Sequence, residues 1–199
     1  VKNLFFGKAN ILQGQVLMKE VLGFNPNLKT YPYDPAKAKK LLAEAGYPNG
    51  FEIQFIFPSG RYAQDREVCE AIAGMLSKVG VKCKMVALEG GQFLKQHFAR
   101  DAGPFYFLGN ASPADPHFQI SQYRSDFSYS YYQNPEMDKL IDAGEKEMDE
   151  KKRAEIYHKA TQLLYDEAPV IFLYQGVDFF GATKRLKNWN AHGEGTVFI

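Results

Sequence analysis

The segment 34–88 alternates between helix-like and strand-like patterns, and this alternation restricts the possible folds more than any other feature of the sequence. Apolar residues recur at helical spacing in 34–46 and in 65–79. The segments 51–57 and 81–88 instead show the alternating or continuously apolar patterns of β-strands. Helices that alternate with strands at this spacing favour an α/β fold, with a mixed, mostly parallel sheet flanked by helices.

The first of these helices has both ends marked in the sequence. Asp34 can accept hydrogen bonds from the free N–H groups of the first turn, and Pro35 loses no hydrogen bond at the first helical position. Gly46 can adopt the left-handed conformation that ends a helix, and Pro48 prevents the helix from resuming. We therefore predict a short surface helix with a structural role and no contact with a ligand.

The rest of the chain is predicted to continue with helices and strands. Residues 1–30 are predicted to hold the end of a helix and a linker, and residues 31–185 to form an α/β lobe. Asp65 is predicted to cap the second helix, and the inward faces are predicted to include Met75 and Phe98. Further helices are predicted over 90–100, from Pro116, from Pro135 and from Asp149 to about Glu167, and further strands over 103–109, 169–174, 179–180 and 197–199.

The charge of the chain does not indicate a nucleic-acid partner. The formal net charge is +1, and the densest basic run, Lys151–Arg153, lies among acidic residues. Such a run is typical of a solvated helix face, so we expect no nucleic acid among the partners. No apolar run approaches the roughly 18–20 residues that a membrane span requires.

The sequence contains no arrangement of residues that is typical of catalysis or of metal binding. The four histidines, at positions 97, 117, 158 and 192, lie far apart and lack the paired spacing of metal ligands. Nucleophile-elbow, zinc-protease, phosphate-loop and dinucleotide-binding motifs do not occur. We therefore expect a protein that is not an enzyme and holds no cofactor, and we interpret each histidine as a surface or packed residue.

The two cysteines lie on the inward stripes of neighbouring elements. Cys69 belongs to the second predicted helix, and Cys83 belongs to the strand that follows it. Both are predicted to lie in the core. A disulfide requires Cα atoms within about 7 Å, and the sequence leaves open whether these two residues are bonded.

Several long stretches are similar to one protein family. They resemble, in the family's order, the solute-binding proteins of peptide and nickel ABC importers, the family 5 extracellular binding proteins. The stretches are YPYDPAKAKKLLAEAGYPNGF, GRYAQDREVCEAIAGMLSKVGVKCKM, the run from YQNPEMDKL to VIFLYQ, and FGATKRLKNW. Together they cover almost all of the chain.

The resemblance implies one lobe, the C-terminal one, of a type II periplasmic-binding-protein fold. Family members are considerably longer, so we expect a fragment whose N-terminal lobe is missing. Residues 186–199 would then be a tail that returns to that first lobe. The resemblance further implies a receptor that closes on a peptide or peptide-like solute and delivers it to the membrane permease of an ABC importer. Such receptors are periplasmic or lipid-anchored at the cell surface.

The resemblance places one candidate binding segment after the strand predicted over 103–109. Peptide-binding members hold the ammonium group of the ligand there with an Asp, often beside a Trp. Alignment on Asp115 puts that Asp at Ser112 and the Trp near Gly109, so both characteristic residues are replaced. Asp115 can either substitute for the missing carboxylate or cap the helix that starts at Pro116. The candidate ligand contacts of this segment are Gly109, Asn110, Ala111, Ser112 and Asp115.

A second candidate segment is the loop after the first predicted strand. Arg61 can bind a ligand carboxylate through two parallel hydrogen bonds, or it can form a surface ion pair with Asp65 or Glu67. Some dipeptide-binding members of the family carry an Arg about two positions earlier. Tyr62 belongs to the same loop and is also a candidate ligand contact. Tyr129 is a further candidate, because its Tyr-rich stretch can either line the cleft or pack in the core.

Other functions stay open at the level of the sequence. The same fold can bind a non-peptide solute, such as a sugar oligomer, a modified peptide or a chelated metal, because the ammonium-binding Asp is replaced. A receptor lobe can also serve as a sensor or adhesion module. A fragment of an α/β hydrolase or transferase would need a nucleophile and a base, and the sequence shows no such pair.

Overall fold

The structure is a computed structural model that describes residues 4–110, 115–176, 183 and 185. Helices and strands alternate as predicted, and the fold class is α/β. The strands are β1 (Asn10–Ile11), β2 (Phe51–Ser59), β3 (Val81–Glu89) and β4 (Tyr174–Gln175). The helices are α1 (Pro35–Glu44), α2 (Asp65–Ser77), α3 (Gly90–Phe98), α4 (Pro116–Ile120), α5 (Pro135–Lys146) and α6 (Glu150–Glu167), with a 3₁₀ turn at Ser121–Tyr123.

The strands confirm the predicted parallel pairing. β2 and β3 pair in parallel along their whole length, starting with Phe51 opposite Val81. Tyr106 forms a parallel bridge to Ile56 of β2. β2 therefore lies between β3 and the segment that contains Tyr106, and all three run in the same direction.

The third predicted strand is shortened to this bridge. Ile56 donates a backbone hydrogen bond to Phe105 at 3.0 Å and accepts one from Phe107 at 2.9 Å. On the N-terminal side, Gly103 has a φ of +73°, outside the strand region, and Pro104 has no amide hydrogen. The ladder therefore cannot extend in that direction.

The predicted strand over 169–174 is wrong for most of its length. Only β4 pairs there, and it runs antiparallel to β1. The ladder is short because β1 has two residues, and beyond it Leu12 donates one backbone hydrogen bond to Leu173. Ile171 is 57% exposed, so the segment is not the buried strand that its apolar run predicts.

One core cluster, which we call the sheet cluster, lies between the parallel strands and α2. Phe55 and Phe57 of β2 are each 1% exposed, and burial of a side chain of this size contributes roughly 1.5–3 kcal/mol. The buried members of the cluster are Phe5, Ala9, Phe55, Phe57, Val68, Cys69, Ile72 and Phe107. Phe5 and Ala9 precede α1, so this early segment packs onto the lobe, while the domain boundary at residue 30 stays a prediction.

A second core cluster, the helix cluster, joins α4, α5 and α6. Its buried members are Leu17, Val21, Ile120, Met137, Ile141, Tyr157, Ala160 and Leu164. The fully buried Tyr157 ring fits against Gly23 and Gly144, where an added Cβ would lie 2.5 Å and 2.7 Å from Tyr157 atoms. Any larger residue at either glycine would displace the central ring of this cluster.

The cysteines are free thiols, which answers the question that the sequence left open. Cys69 is fully buried in the sheet cluster, and Cys83 is partly buried against it. Burial raises the pKa of the Cys69 thiol to about 12. The Cys69 thiol therefore stays protonated and weakly reactive at neutral pH.

The ends of α1 are those predicted. The Asp34 carboxylate accepts from the backbone N–H of Lys37 at 2.9 Å, and Gly46 has a φ of +90°. No residue of α1 is buried, as expected of a surface helix. The inward positions predicted for Met75 and Phe98 are wrong, since they are 45% and 55% exposed. The apolar stripes of α2 and α3 are wider than the faces that the core covers.

Several predictions concern residues outside the described part of the chain. They are the strands over 179–180 and 197–199 and the tail over 186–199. In the part that is described, none of the helices combines the length and apolar character needed to cross a membrane.

Candidate functional site

Three parallel segments end at the same edge of the sheet. β2 is followed by the loop 60–64, β3 is followed by α3, and the segment that contains Tyr106 is followed by residues 108–110. Residues that follow the carboxyl ends of parallel strands come together at one place, and α/β proteins commonly bind ligands there. We call this place the carboxyl edge, and it is where a binding site is expected.

A cavity of about 170 Å³ lies at the carboxyl edge. Four residues predicted from the sequence as ligand contacts line it: Arg61, Gly109, Asn110 and Tyr129. Six residues that were not predicted complete the lining: Leu94, His97, Phe98, Leu108, Phe118 and Gln122. The structure therefore brings the two predicted loops together around one cavity. Contact between these residues and a ligand stays a prediction.

The Tyr62 hydroxyl connects the two loops. It donates a hydrogen bond to the backbone oxygen of Gly109 at 2.9 Å and accepts one from Nε of Arg61 at 3.1 Å. The guanidinium carbon of Arg61 lies 5.4 Å from the centre of the Tyr62 ring, within the range of a cation–π contact. The Tyr62 ring also packs edge-on against Phe107, with ring centres 5.7 Å apart. These contacts hold Arg61 beside the cavity.

Asp65 fixes the backbone of this loop and forms no ion pair with Arg61. Its carboxylate accepts from the backbone N–H groups of Arg61 at 3.0 Å and Tyr62 at 3.2 Å. The prediction that Asp65 caps α2 is wrong, because Gln64, with a φ of +59°, is the N-cap residue and Asp65 is the first helical residue. Among the described residues, the alternative ion pair of Arg61 with Asp65 or Glu67 does not form.

Gly109 leaves room for the Tyr62 ring. A Cβ atom at position 109 would lie 3.0 Å from Cε1 and 3.1 Å from Cζ of Tyr62. A residue without a side chain therefore fits the place where the family resemblance puts a Trp. An aromatic ring still covers this place, and it comes from the neighbouring loop.

Asp115 is engaged by residues of its own chain. Its Oδ1 accepts from the backbone N–H of His117 at 2.8 Å, so Asp115 caps α4. Its two carboxylate oxygens also accept hydrogen bonds from the Arg153 guanidinium, both at 2.9 Å. The hydrogen bonds from Arg153 hold the pKa of Asp115 below its ordinary value. Of the two roles that the sequence left open, helix capping is the one observed. Ala111 and Ser112 lie outside the described residues.

Arg153 joins three helices through this contact. Its Nε donates to the backbone oxygen of Gly144 in α5 at 2.9 Å, and its guanidinium carbon lies 5.4 Å from the centre of the Tyr157 ring. One side chain of α6 therefore holds both the start of α4 and a turn of α5. The basic run that contains Arg153 predicts a solvated face, but Arg153 is partly buried while the two lysines before it are exposed.

His97 forms the buried side of the cavity. It is 2% exposed, and its ring centre lies 4.5 Å from that of Tyr129 and 5.2 Å from that of Tyr106. Its Nδ1 has no hydrogen-bond partner among the described residues. Burial lowers the pKa of His97, so the ring is neutral at pH 7. Tyr129 thus both lines the cavity and packs against a buried ring, which combines the two roles considered for it.

The contribution of α3 to the cavity was not predicted from the sequence. Leu94, His97 and Phe98 share one face because they are three and four positions apart, and an apolar face of this kind predicts core packing. A usable signal was present. α3 begins at Gly90, directly after the carboxyl end of β3, so its first turns lie at the ligand-binding edge of a parallel sheet.

A larger groove of about 390 Å³ lies along α6, away from the carboxyl edge. Two of its polar residues are already paired within the chain. Asn25 Nδ2 donates to the backbone oxygen of His158 at 3.4 Å, and Nε2 of His158 lies 3.0 Å from the backbone oxygen of Phe24. We therefore take the smaller cavity as the candidate site. Within the described residues, no three His, Cys, Asp or Glu side chains are grouped in a way that suits a metal ion.

Comparison with known protein families and curated proteins gives clear matches. Residues 1–131 match the family described as bacterial extracellular solute-binding proteins, family 5 Middle. Heme-binding protein A of Haemophilus influenzae is 32% identical over 177 residues, which is 85% of this chain and 32% of that protein. The dipeptide-binding protein of Escherichia coli is 27% identical over 198 residues, which is 95% of this chain and 37% of that protein.

Comparison with solved structures supports the same fold. The periplasmic binding protein DppA of Helicobacter pylori, in complex with the peptide STSA, superposes with a TM-score of 0.78 at 27% identity. The match covers 87% of this chain and 35% of that chain. The chain therefore spans about a third of the length of the proteins it matches.

Proposed function

This chain belongs to the bacterial extracellular solute-binding proteins of family 5, and we propose that it forms one lobe of a receptor that binds a peptide-like solute for an ABC importer. The observation that carries this proposal is the position of Arg61. Its side chain lines the cavity at the carboxyl edge and is hydrogen-bonded to Tyr62. No carboxylate of the described residues pairs with it. A guanidinium in this state is available for a carboxylate of the solute.

The proposed solute therefore carries a carboxylate. Two of the relatives are named for heme and for dipeptides, and both kinds of compound carry carboxylates. A guanidinium can bind a carboxylate through two parallel hydrogen bonds, which adds orientation as well as affinity. Among the described residues that line the cavity, Arg61 is the one with a permanent positive charge.

The proposed site does not select a free amine. The family resemblance puts the ammonium-binding Asp at Ser112, and a hydroxyl carries no negative charge that could pair with an ammonium group. Asp115 does not substitute for it, because Arg153 occupies both of its carboxylate oxygens. Acetylation of the amine of a peptide should therefore change its affinity by less than about tenfold, or roughly 1.4 kcal/mol.

We propose that the second side of the cleft and the permease are partners of this lobe. A volume of about 170 Å³ is small beside the roughly 300–1,000 Å³ of pockets that enclose a whole ligand. This difference supports a cleft that is completed by a second, N-terminal lobe of the same protein. The proposed location is the periplasm or the outer face of the cell membrane, with the importer's permease as the membrane partner and no role for nucleic acid.

Calorimetric titration of the intact protein that contains this chain tests the proposed function. The probes are the dipeptide Ala-Phe, its N-acetylated form and its C-terminal amide. We expect roughly micromolar binding of the first two, about −8 kcal/mol, and weaker binding of the amide. Absence of binding of all three at millimolar concentration would contradict the peptide proposal.

A second candidate solute is a larger ring compound with carboxylates, such as heme. The exposed aromatic rings Phe98 and Phe118 at the cavity favour it, since they are 55% and 51% exposed. Titration with hemin, followed by its visible absorbance, separates this candidate from a peptide. Binding of an uncharged sugar oligomer in preference to every carboxylate-bearing probe would leave Arg61 without the proposed role.

We also propose that the protein releases its solute unchanged. The family is described by solute binding, and the described residues that line the cavity include no Ser, Thr or Cys that could act as a nucleophile. Incubation of Ala-Phe with the intact protein should return intact dipeptide by mass spectrometry. Release of free amino acids in proportion to protein concentration would favour the hydrolase alternative.

A further inference from the structure

The cavity at the carboxyl edge has the size of one chemical group of a ligand. Its volume of about 170 Å³ is below the roughly 300–1,000 Å³ of pockets that enclose a whole ligand. It nevertheless has a distinct composition, because six of the ten described residues that line it are leucines or carry a ring, and they come from two helices and two loops. These side chains are Leu94, His97, Phe98, Leu108, Phe118 and Tyr129.

The rings around the cavity form a connected aromatic wall. The ring centres of Tyr129 and His97 are 4.5 Å apart, and those of Tyr129 and Phe98 are 5.2 Å apart. Phe98 also lies 5.5 Å from His97. Aromatic rings prefer offset or edge-to-face neighbours at such distances, so a further planar ring fits against this wall.

The buried side of the cavity is unsuited to a positive charge. His97 is buried and neutral, so it supplies no negative charge that could pair with a cation. Arg61 lines the same cavity and would repel a second cation. A charged group in contact with the aromatic wall would also lose its hydration without a compensating hydrogen bond.

Arg61 and the aromatic wall lie in one cavity of this small volume, so one residue of a ligand can contact both. We propose that this cavity receives an aromatic, uncharged side chain of the same ligand residue whose carboxylate is bound by Arg61. The inference rests on the proposed function, because it takes the solute to be peptide-like. It adds a substrate class, namely peptides whose C-terminal residue is aromatic.

Titration of the intact protein with three dipeptides tests the inference. The probes are Ala-Phe, Ala-Ala and Ala-Lys, which differ only in the C-terminal side chain. We expect Ala-Phe to bind at least about tenfold more tightly than Ala-Ala, since it buries an aromatic ring. Ala-Lys should bind no more tightly than Ala-Ala.

A matched pair of variants tests whether the aromatic wall causes the preference for Ala-Phe over Ala-Ala. Phe98→Ala removes a half-exposed ring of the wall, and it should lower the ratio of Ala-Phe to Ala-Ala affinity by about threefold or more. Tyr33→Ala removes a ring that is 69% exposed and lies away from the cavity, and it should leave that ratio unchanged. Because both side chains are exposed, both variants are expected to fold.

The outcomes separate this inference from the proposed function. Equal binding of Ala-Phe and Ala-Ala, or an affinity ratio that Phe98→Ala leaves intact, overturns the inference and leaves the peptide receptor standing. Tighter binding of Ala-Lys than of Ala-Ala also overturns it. Failure of all three dipeptides to bind overturns both the inference and the peptide proposal.

Discussion

Two arginines of this protein have opposite surroundings. Arg153 donates to both carboxylate oxygens of Asp115 and to the backbone oxygen of Gly144, so its hydrogen-bonding groups are used within the chain. Arg61 donates one hydrogen bond to a neutral hydroxyl, that of Tyr62, and has no carboxylate partner among the described residues. The first arrangement stabilises the lobe, and the second leaves a charge available at a cavity.

The difference extends to the surroundings of each arginine. In the helix cluster, Thr161 donates to the backbone oxygen of Tyr157 at 2.9 Å, and this buried polar group is satisfied. At the cavity, His97 is equally buried but its Nδ1 is not paired within the described residues. Buried polar groups are normally satisfied, so a buried nitrogen without a partner among the described residues marks a candidate for contact with a ligand.

The largest effect is expected on the free energy of unfolding when each arginine is replaced by Met. Arg153→Met removes the bidentate ion pair, the hydrogen bond to Gly144 and the cation–π contact, and should cost roughly 2 kcal/mol. This figure allows for screening by water, because the Asp115 side chain is 55% exposed. Arg61→Met should cost less than about 0.5 kcal/mol. Denaturant unfolding of both variants measures the two losses in the free energy of unfolding. Equal losses would contradict the different roles assigned to the two arginines.

A smaller effect is expected on binding when the Tyr62 hydroxyl is removed. Tyr62→Phe keeps the ring against Gly109 but deletes the hydrogen bonds to Arg61 and Gly109. A net loss of about 0.5–1.5 kcal/mol for a hydrogen bond predicts weaker binding of a dipeptide by roughly three- to tenfold, with little change for its amide.

Tyr132→Phe is the matched control for this variant. Its hydroxyl donates to the Glu167 carboxylate, and neither of these two residues lines the cavity. Tyr132→Phe should lower the free energy of unfolding without changing the ratio between the affinities for the dipeptide and for its amide. The role assigned to Tyr62 would be wrong if both variants weakened the acid and the amide equally.

The smallest effect is expected when His97 is replaced by Phe. The variant keeps an aromatic ring among its neighbours and removes a nitrogen that is unpaired within the described residues, so stability at pH 8 should change by less than about 1 kcal/mol. Burial lowers the pKa of His97 in the folded state. The unfolded chain therefore binds a proton first as the pH falls below about 6.5, and the wild type loses stability there.

The pH dependence of unfolding checks this sign. Between about pH 7 and pH 5, the wild type should lose stability relative to His97→Phe. Thermal unfolding of both proteins across this range measures the difference. A stability difference that stays constant over the range would show that His97 has the same pKa in the folded and unfolded states.

Local signals predicted the regular elements well. The cap at Asp34, the left-handed Gly46 and the burial pattern of β2 depend on residues close in sequence. The predictions failed where an element packs against a partner that is distant in sequence or that is short. The strand over 169–174 is short because its partner β1 has two residues, and the exposure of Phe98 depends on which face of α3 the core covers.

The candidate site was predictable only in part. The family resemblance pointed to the loops that contain Arg61 and Gly109, and the structure places both at one cavity. The partner of Asp115 was not predictable, because Arg153 lies 38 positions away and its neighbours read as a solvated face. The contribution of α3 to the cavity was not predictable either, because its apolar face contacts both the core and the cavity.

The most direct test of this account is a titration of the intact protein and its Arg61→Met variant with Ala-Phe and with Ala-Phe amide. The account predicts that the wild type binds the free acid at least about tenfold more tightly than the amide, or roughly 1.4 kcal/mol. It also predicts that Arg61→Met abolishes this difference, while Arg153→Met retains it in whatever fraction of the protein is folded. An acid preference that persists in Arg61→Met would contradict the claim that the Arg61 guanidinium at the carboxyl edge binds the solute.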